Sequence, residues 1–424
     1  MAAAVPVTPA DRHPSTTDDL PEGANHPMDD TDTDTDTDTD TDTDTDTGTT
    51  ARGAPSPPNG APDHDTCHYR RNPDLLLEWA DGGGPVLVDC GSRRKFAAKP
   101  VLVDLLNQLD RPHTADQLQD RWRESAPGRD IRKLLARLAA AGIVQRCGPH
   151  PPDTAEGDTR DPGAGWTPYE RAVHARSALG PDAAAGRGAP PPARLRHPEA
   201  DAVTALPDGA DTPSRPLADV LAARRSVRGY APGPVPLPLL GALLARAARV
   251  RGHLAPRAYQ QTQRPAPSGG ARHSLEIYLL ARSVEGLTAG AHHYDPFAHT
   301  LHRLAPWTDE LAAFQRRTVT DPALLDSAPP GSLCLVSVAA RTTWKYEGMA
   351  LSLIYRDTGC LMQTLSLTAA DLGLASCLTG SMEAPLTAPF LHPSLRAHLS
   401  HVGNMALGLP TSPLAAPEVT PLAP

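Results

Sequence analysis

The chain has no apolar run of about 18 residues, the length a helix needs to cross a bilayer. Its opening stretch, "MAAAVPVTPADRHPST", has neither a basic start nor an apolar core of the secretory kind. A cytoplasmic protein with no membrane partner is expected. Cysteine is scarce: Cys67, Cys90, Cys147, Cys334, Cys360 and Cys377 are scattered through 424 residues with no C-x-x-C pair. That pattern argues for reduced thiols and against a disulfide framework or a structural zinc. Cys360 and Cys377 read as small buried apolar residues. A strong basic surplus is also missing. Residues 1–66 hold 16 acidic against two basic residues, so the net −9 of the chain hides a balance of about +5 in the rest, 38 against 33. Such weak basicity does not support nucleic-acid binding.

What is present begins with a strict Thr-Asp alternation at 31–47. It has no apolar surface to offset its ordering entropy, so 1–66 is expected as a disordered Thr/Asp-rich tail. Order is expected from Tyr69. "NPDLLLEWADGGGPVLVDCGSRRKF" reads as strand, Gly-rich turn, strand. Three helical segments follow, at 100–109, 114–124 and 130–140. Thr114 and Gln117 form a capping-box pattern at the second; Ile131, Leu134, Leu135 and Leu138 give the third its apolar face. With the closing "IVQR", 67–147 is winged-helix-like. It can bind DNA, bind a peptide by strand addition, or be a structural appendage. Residues 148–215 read as a Pro/Ala/Gly-rich linker, interrupted by a short docking helix at 166–180 with Trp166, Tyr169, Ala172 and Val173 as its apolar face. Residues 411–424 read as a Pro-rich tail.

The second folded unit spans 216–410. "PLADVLAARRSVRGY" reads as a helix breaking near Gly229, and "PLPLLGALLARAARVRG" as another closed by Gly252. "SLEIYLLARS" suits a strand, "GAHHYDPFAHTLHRL" a hairpin with Asp295 and Pro296 in its turn, and "SLCLVSVAA" a buried strand. "MALSLIYRDTGCLMQTLSLTAADLGL" reads as a long helix, apolar nearly all round and therefore buried. Strands mix with helices without βαβ alternation, so the class is α+β. The hairpin histidines His292, His293, His299 and His302 read as surface residues, and no metal site is expected.

Several short motifs carry chemistry. "RRSVR" gathers Arg224, Arg225, Ser226 and Arg228, and guanidinium forks suit phosphate oxygens. "PSGG" (Pro267, Ser268, Gly269, Gly270) lets backbone approach a flat ligand closely. Gly359 and Gly373 lie in or at the end of the long helix, where each costs about 1 kcal/mol unless something packs against it. "TTWKYEG" sets an amine, Lys345, beside a phenol, Tyr346. A nearby ammonium lowers a phenol's pKa, which makes the pair an acid/base device when both border one pocket.

In this order, R-R-S-x-R, P-S-G-G before a strand, a G-x-x-x-Q helix and an L-G-L end resemble the nitroreductase-like flavin fold. More narrowly, "PSGGARHSLEIYLLARSVEGLTAGAHHYDPFAHTLHRL" and "WKYEGMALSLIYRDTGCLMQTLSLTAADLGLASCLTG" resemble the SagB-type peptide dehydrogenases, FMN-dependent azoline oxidases of thiazole/oxazole peptide pathways. The resemblance spans about 166–410 and implies a central, mostly antiparallel sheet flanked by helices. It also implies FMN at the interface of a homodimer. By that resemblance Arg224, Arg225, Ser226 and Arg228 hold the FMN phosphate and ribityl chain. Pro267, Ser268 and Gly269 lie against the flavin from the partner subunit, Gln363 lies near the cofactor, and Leu378, Thr379 and Gly380 run beside the ring. Lys345 and Tyr346 match the catalytic couple. Cys360 and Thr364 stand where the family usually has His and Asn. The implied substrate is a thiazoline or oxazoline in a ribosomally made precursor peptide, with a YcaO-type cyclodehydratase complex as a further partner. A generic NAD(P)H-dependent nitro- or quinone reductase and a non-catalytic leader-peptide scaffold are the alternatives.

Overall fold

The structure, a computed structural model, describes residues 67–79, 83–90, 92, 94–122, 130–148, 165–177, 188–255, 259–346 and 348–415. The Thr/Asp tail lies outside the described residues, as does most of the carboxyl-terminal tail. The first elements are β1 (His68–Arg71), β2 (Leu75–Trp79), β3 (Pro85–Asp89) and β4 (Lys95–Ala97). They are followed by α1 (Pro100–Gln108), β5 (His113–Thr114), α2 (Ala115–Trp122), α3 (Ile131–Ala140) and β6 (Val144–Cys147). Two small antiparallel sheets, β5-β1-β6 and β2-β3-β4, accompany three helices packed on Leu105, Leu118, Ile131 and Leu135. The capping box forms reciprocally: Thr114 N donates to Gln117 Oε1 at 3.0 Å, and Gln117 N to Thr114 Oγ1 at 3.3 Å. Asp130 caps α3 by accepting from Lys133 N.

Next comes α4 (Pro168–Ser177), which touches β2 and a later helix. The expected apolar docking face is not what holds it. Tyr169 stands exposed, and α4 is tied instead by ion pairs of Arg171 with Asp74 and Arg176 with Glu78.

The remaining elements are β7 (Ala202–Ala205), α5 (Leu217–Ala223), α6 (Leu237–Ala247), β8 (Gly252–His253), β9 (Thr262–Gln263), β10 (Leu275–Ala281), β11 (Gly290–Asp295) and β12 (Thr300–Pro306). After them come α7 (Asp309–Gln315), β13 (Gly331–Ser337), α8 (Ala339–Thr343), α9 (Ala350–Asp371), β14 (Ala375–Thr379), α10 (Pro393–Arg396) and β15 (Ser400–Gly408). One antiparallel sheet of order β14-β15-β13-β10-β11-β12-β7 organises them. The fold is α+β. Along β10, Ile277 and Leu279 join the cluster under α6 and α9, while Tyr278 and Leu280 join Phe314 and Phe390 on the other face. A sheet covered on both faces explains why β13 reads as a nearly continuous apolar run.

Four expectations change. Residues 188–206, read as linker, pack on the sheet, and β7 pairs with β12 as its edge strand; "AVTA" is too short, in a Pro-rich setting, to announce a strand. The first helix ends at Ala223 instead of near Gly229. Beyond it the chain is extended, because Val227 N donates to Ser376 O on edge strand β14 and Ala231 N to Leu409 O. The long helix α9 is not buried all round: Leu351, Tyr355, Gly359, Cys360 and Gln363 are exposed, so Cys360 is no core residue, whereas Cys377 is. The hairpin histidines are not surface groups either. His292, His293 and His299 are buried, because the strands around them bring acceptors such as Thr288 O, Glu276 and Pro207 O.

Candidate functional site

The Lys345–Tyr346 couple follows α8 directly, with Lys345 N and Tyr346 N both donating to Thr342 O. Across from it runs the turn at Gly269–Ala271, placed by the PSGG segment between β9 and β10. Gly270 sits at φ +59°, and a Cβ there would lie 2.6 Å from Tyr346 Oη and 2.7 Å from Lys345 Nζ. Only glycine takes that left-handed conformation without strain, and only glycine leaves room for both polar tips. The glycine pair and the Lys-Tyr pair, 75 residues apart in sequence, therefore meet.

The turn is held from behind by α9. Asp357 accepts from Ser268 Oγ at 2.6 Å and from Gly269 N at 3.0 Å, and Ser268 Oγ accepts from His273 N at 2.9 Å. Burial pushes the Asp357 carboxyl up, only partly offset by the bonds from Ser268 and Gly269. A small cavity of about 30 Å³ behind this turn is lined by Arg264, Ser268, Glu276 and Asp357. One Arg264 nitrogen is buried against it without a protein partner, and burial lowers that guanidinium to about 10.

Tyr259 completes the group. Its hydroxyl accepts from Lys345 Nζ at 2.5 Å and donates to Gly270 O at 3.3 Å, and Gln261 Nε2 donates to Gly270 O at 2.9 Å. Burial works against the Lys345 ammonium, but its bonds to Tyr259 and Tyr346 prevail and its pKa is raised. Beneath the Tyr259 ring lies the buried Arg272 guanidinium, 4.8 Å from its centroid and 5.6 Å from that of Trp344. Arg272 donates to Arg341 O and to Pro191 O, and Arg341 donates to Pro192 O and, at 2.6 Å, to Glu276 Oε1. Glu276 also meets His293 at 2.8 Å. Burial alone would raise Glu276, but Arg341 and His293 hold it down to about 2.

The other expected residues form a second group. Arg224, Arg225, Ser226 and Arg228 lie on the extended strip beside β14, so they adjoin Leu378 and Thr379 at its end and Gly380 just beyond. Arg225 donates to Ala415 O and Arg228 to Ala323 O. Among the described residues none of the three arginines pairs with a carboxylate, and Arg224 has no side-chain hydrogen bond. Gln363 stands on the exposed face of α9, away from Asp357. Among the described residues no hydrogen bond joins this group to Lys345 and Tyr346. Among them, too, no cluster of His, Cys, Asp and Glu is set to hold a metal, and no helix is long and apolar enough to cross a membrane.

Tyr259, Asp357, Arg272, Arg341 and Glu276 were not singled out by sequence reading, and His293 was read only as a surface residue. The two carboxylates had a usable signal, since Glu276 and Asp357 interrupt apolar runs and so must be paired if buried. Tyr259, in an irregular segment, had none.

Residues 221–402 match the model of the nitroreductase family. A Methanocaldococcus jannaschii protein provisionally named a nitroreductase, MJ1384, is 29% identical over 165 residues, covering 39% of this chain and 78% of that protein. Among solved structures, the microcin synthetase McbBCD complex of E. coli with truncated pro-MccB17 bound is 20% identical with a TM-score of 0.38, covering 50% of this chain and 76% of that one. An FMN-dependent nitroreductase of Clostridium difficile is 14% identical with a TM-score of 0.31, covering 47% of this chain and 91% of that one.

Proposed function

We propose that the protein is an FMN-dependent dehydrogenase that oxidises thiazoline or oxazoline rings in a precursor peptide to the aromatic azoles. The carrying observation is the meeting of Lys345, Tyr346 and Gly270 at one turn, in a chain whose residues 221–402 match the nitroreductase family model. A plain reductase needs no paired amine and phenol at its substrate face. Aromatisation does, because a ring proton must leave as a hydride departs from the adjacent carbon.

The residues fit the cofactor. Arg224, Arg225 and Arg228, none of which pairs with a carboxylate among the described residues, form a guanidinium strip suited to a phosphate, and the PSGG turn carries no side chain of its own at Gly269 and Gly270. FMN bound there would supply the hydride acceptor. Tyr346, as phenolate, takes the ring proton and passes it to solvent. Lys345 stabilises that phenolate and polarises the azoline nitrogen. The phosphate strip and the Lys-Tyr cleft are separate groups within one chain, and α9 exposes Leu351 and Tyr355 at 44% and 45%. Both features support a homodimer in which each site draws on two chains. The module at 67–147 is proposed to hold the precursor's leader, and 216–410 to carry the chemistry.

The test is the visible spectrum of the purified protein, followed by incubation with an azoline peptide in air. A yellow protein that removes two hydrogens per ring supports the reading; a colourless one, or a yellow one leaving the ring intact, refutes it. A second reading, a general NAD(P)H-dependent reductase, is favoured by the nitroreductase name of the archaeal relative. It predicts flavin bleaching by NADPH without any peptide.

A further inference from the structure

Two phenols, not one, contact the Lys345 ammonium, and they differ in what holds them. Tyr259 is buried, and its hydroxyl has three protein partners: it accepts from Lys345 Nζ and from Gln261 Nε2 at 3.3 Å and donates to Gly270 O. Its ring is fixed between the Arg272 guanidinium and Trp344, whose centroid is 5.7 Å away. Arg272 is itself locked by Arg341 O and Pro191 O. Tyr346 is half-buried and has no such frame; its tip lies across Gly270 from the Lys345 amine.

We propose that Tyr259 is the positioning residue of the cleft: its framed phenol holds the Lys345 ammonium against Tyr346, leaving Tyr346 as the one phenol free to meet a substrate. Its hydroxyl proton is engaged by Gly270 O, so Tyr259 does not compete as base. Among the described residues, the titratable and charged groups around Lys345 are Tyr259 and Tyr346 in contact, Arg272 beneath Tyr259, and Asp357 and His273 behind the Gly269–Gly270 turn. Neither that carboxylate nor that imidazole hydrogen-bonds the amine, and among the described residues the two phenols are what hold its proton.

The activity part of this inference rests on the azoline reading; the positioning part does not. The test is Tyr259→Phe in the full flavin-loaded chain, which keeps the ring on Arg272 and removes only the hydroxyl. Two readouts are taken. The first is isotope-coded acetylation of Lys345 across pH, read by peptide mass spectrometry, which needs no substrate. Because the Tyr259 bond favours the ammonium, its loss moves the labelling midpoint to lower pH. The second is the pH profile of azoline oxidation. It narrows from both sides, since Lys345 loses its proton earlier and Tyr346 loses its well-placed cation, and kcat falls about 10- to 100-fold with KM changed far less. An unmoved labelling midpoint overturns the proposal even if wild type oxidises azolines. A moved midpoint with no azoline oxidation by wild type upholds the positioning and removes the azoline reading instead. If Tyr259→Phe does not fold, p-fluorophenylalanine at 259 decides: fluorine fills the hydroxyl's place but is a far weaker acceptor, so the same midpoint moves downward, and no shift overturns the proposal.

Discussion

Replacing Gly270 with alanine is the sharpest structural perturbation, because it separates backbone strain from site chemistry. At φ +59° a Cβ costs about 1–2 kcal/mol on conformation alone. Over a folded unit of this size that lowers Tm by roughly 2–8 °C. The methyl would also sit 2.6 Å from Tyr346 Oη and 2.7 Å from Lys345 Nζ, so both tips must move by about 1 Å to reach van der Waals distance. A displacement of that size at reacting groups costs on the order of 100-fold in rate. Gly286→Ala is the control: φ is +69°, but the nearest side-chain atom is 3.9 Å away, so it carries the backbone cost without crowding the cleft. Paired melting curves and azoline-oxidation rates are the assay. The account expects similar Tm losses and a rate loss confined to Gly270→Ala. A Gly270→Ala enzyme within threefold of wild type would refute the geometry.

Asp357→Asn keeps an acceptor for Gly269 N but loses the charge-assisted bond from Ser268, about 1.5–3 kcal/mol; a Tm change under 1 °C would show that Asp357 does not hold the turn. Arg224→Ala removes a guanidinium without a hydrogen-bonded partner among the described residues, so stability should stay within about 0.5 kcal/mol, while FMN binding, followed by fluorescence titration, weakens about 10- to 100-fold. Unchanged FMN binding would take the phosphate away from this strip. Glu276 has a depressed pKa, so its stabilising contribution is present above about pH 4 and lost as pH falls toward about 2. Glu276→Gln should therefore lower stability at pH 7 by about 3–5 kcal/mol and flatten the acid limb of denaturant midpoints, since Arg341 is left buried with an uncharged partner. A wild-type acid limb in the mutant would contradict this.

Much of the fold was legible because the strongest signals are local. The strand-like SLEIYLLARS became β10, the nearly continuous apolar run became β13, and the Thr114–Gln117 spacing became a reciprocal cap. The elements that were missed depend on distant partners. β7 is a strand only because β12 offers it an edge, and Arg224–Arg228 leave the helix only because β14 claims Val227. At the site, Lys345 and Tyr346 were visible as a pair, and PSGG as a close-approach loop. Tyr259 and the Arg272–Arg341–Glu276 frame were not. Their meaning lies in contacts across 65 to 86 residues of sequence, and no spacing rule records those.

The central claim is tested most directly by mixing the flavin-loaded protein with an azoline peptide without oxygen, for wild type and Tyr346→Phe. The account predicts that wild type bleaches its flavin absorbance in step with azole formation, one ring per flavin, and that Tyr346→Phe stays yellow with the azoline intact. Equal bleaching by the mutant would remove Tyr346 as the base, and a wild type that stays yellow with this peptide but bleaches with NADPH would contradict azoline oxidation altogether.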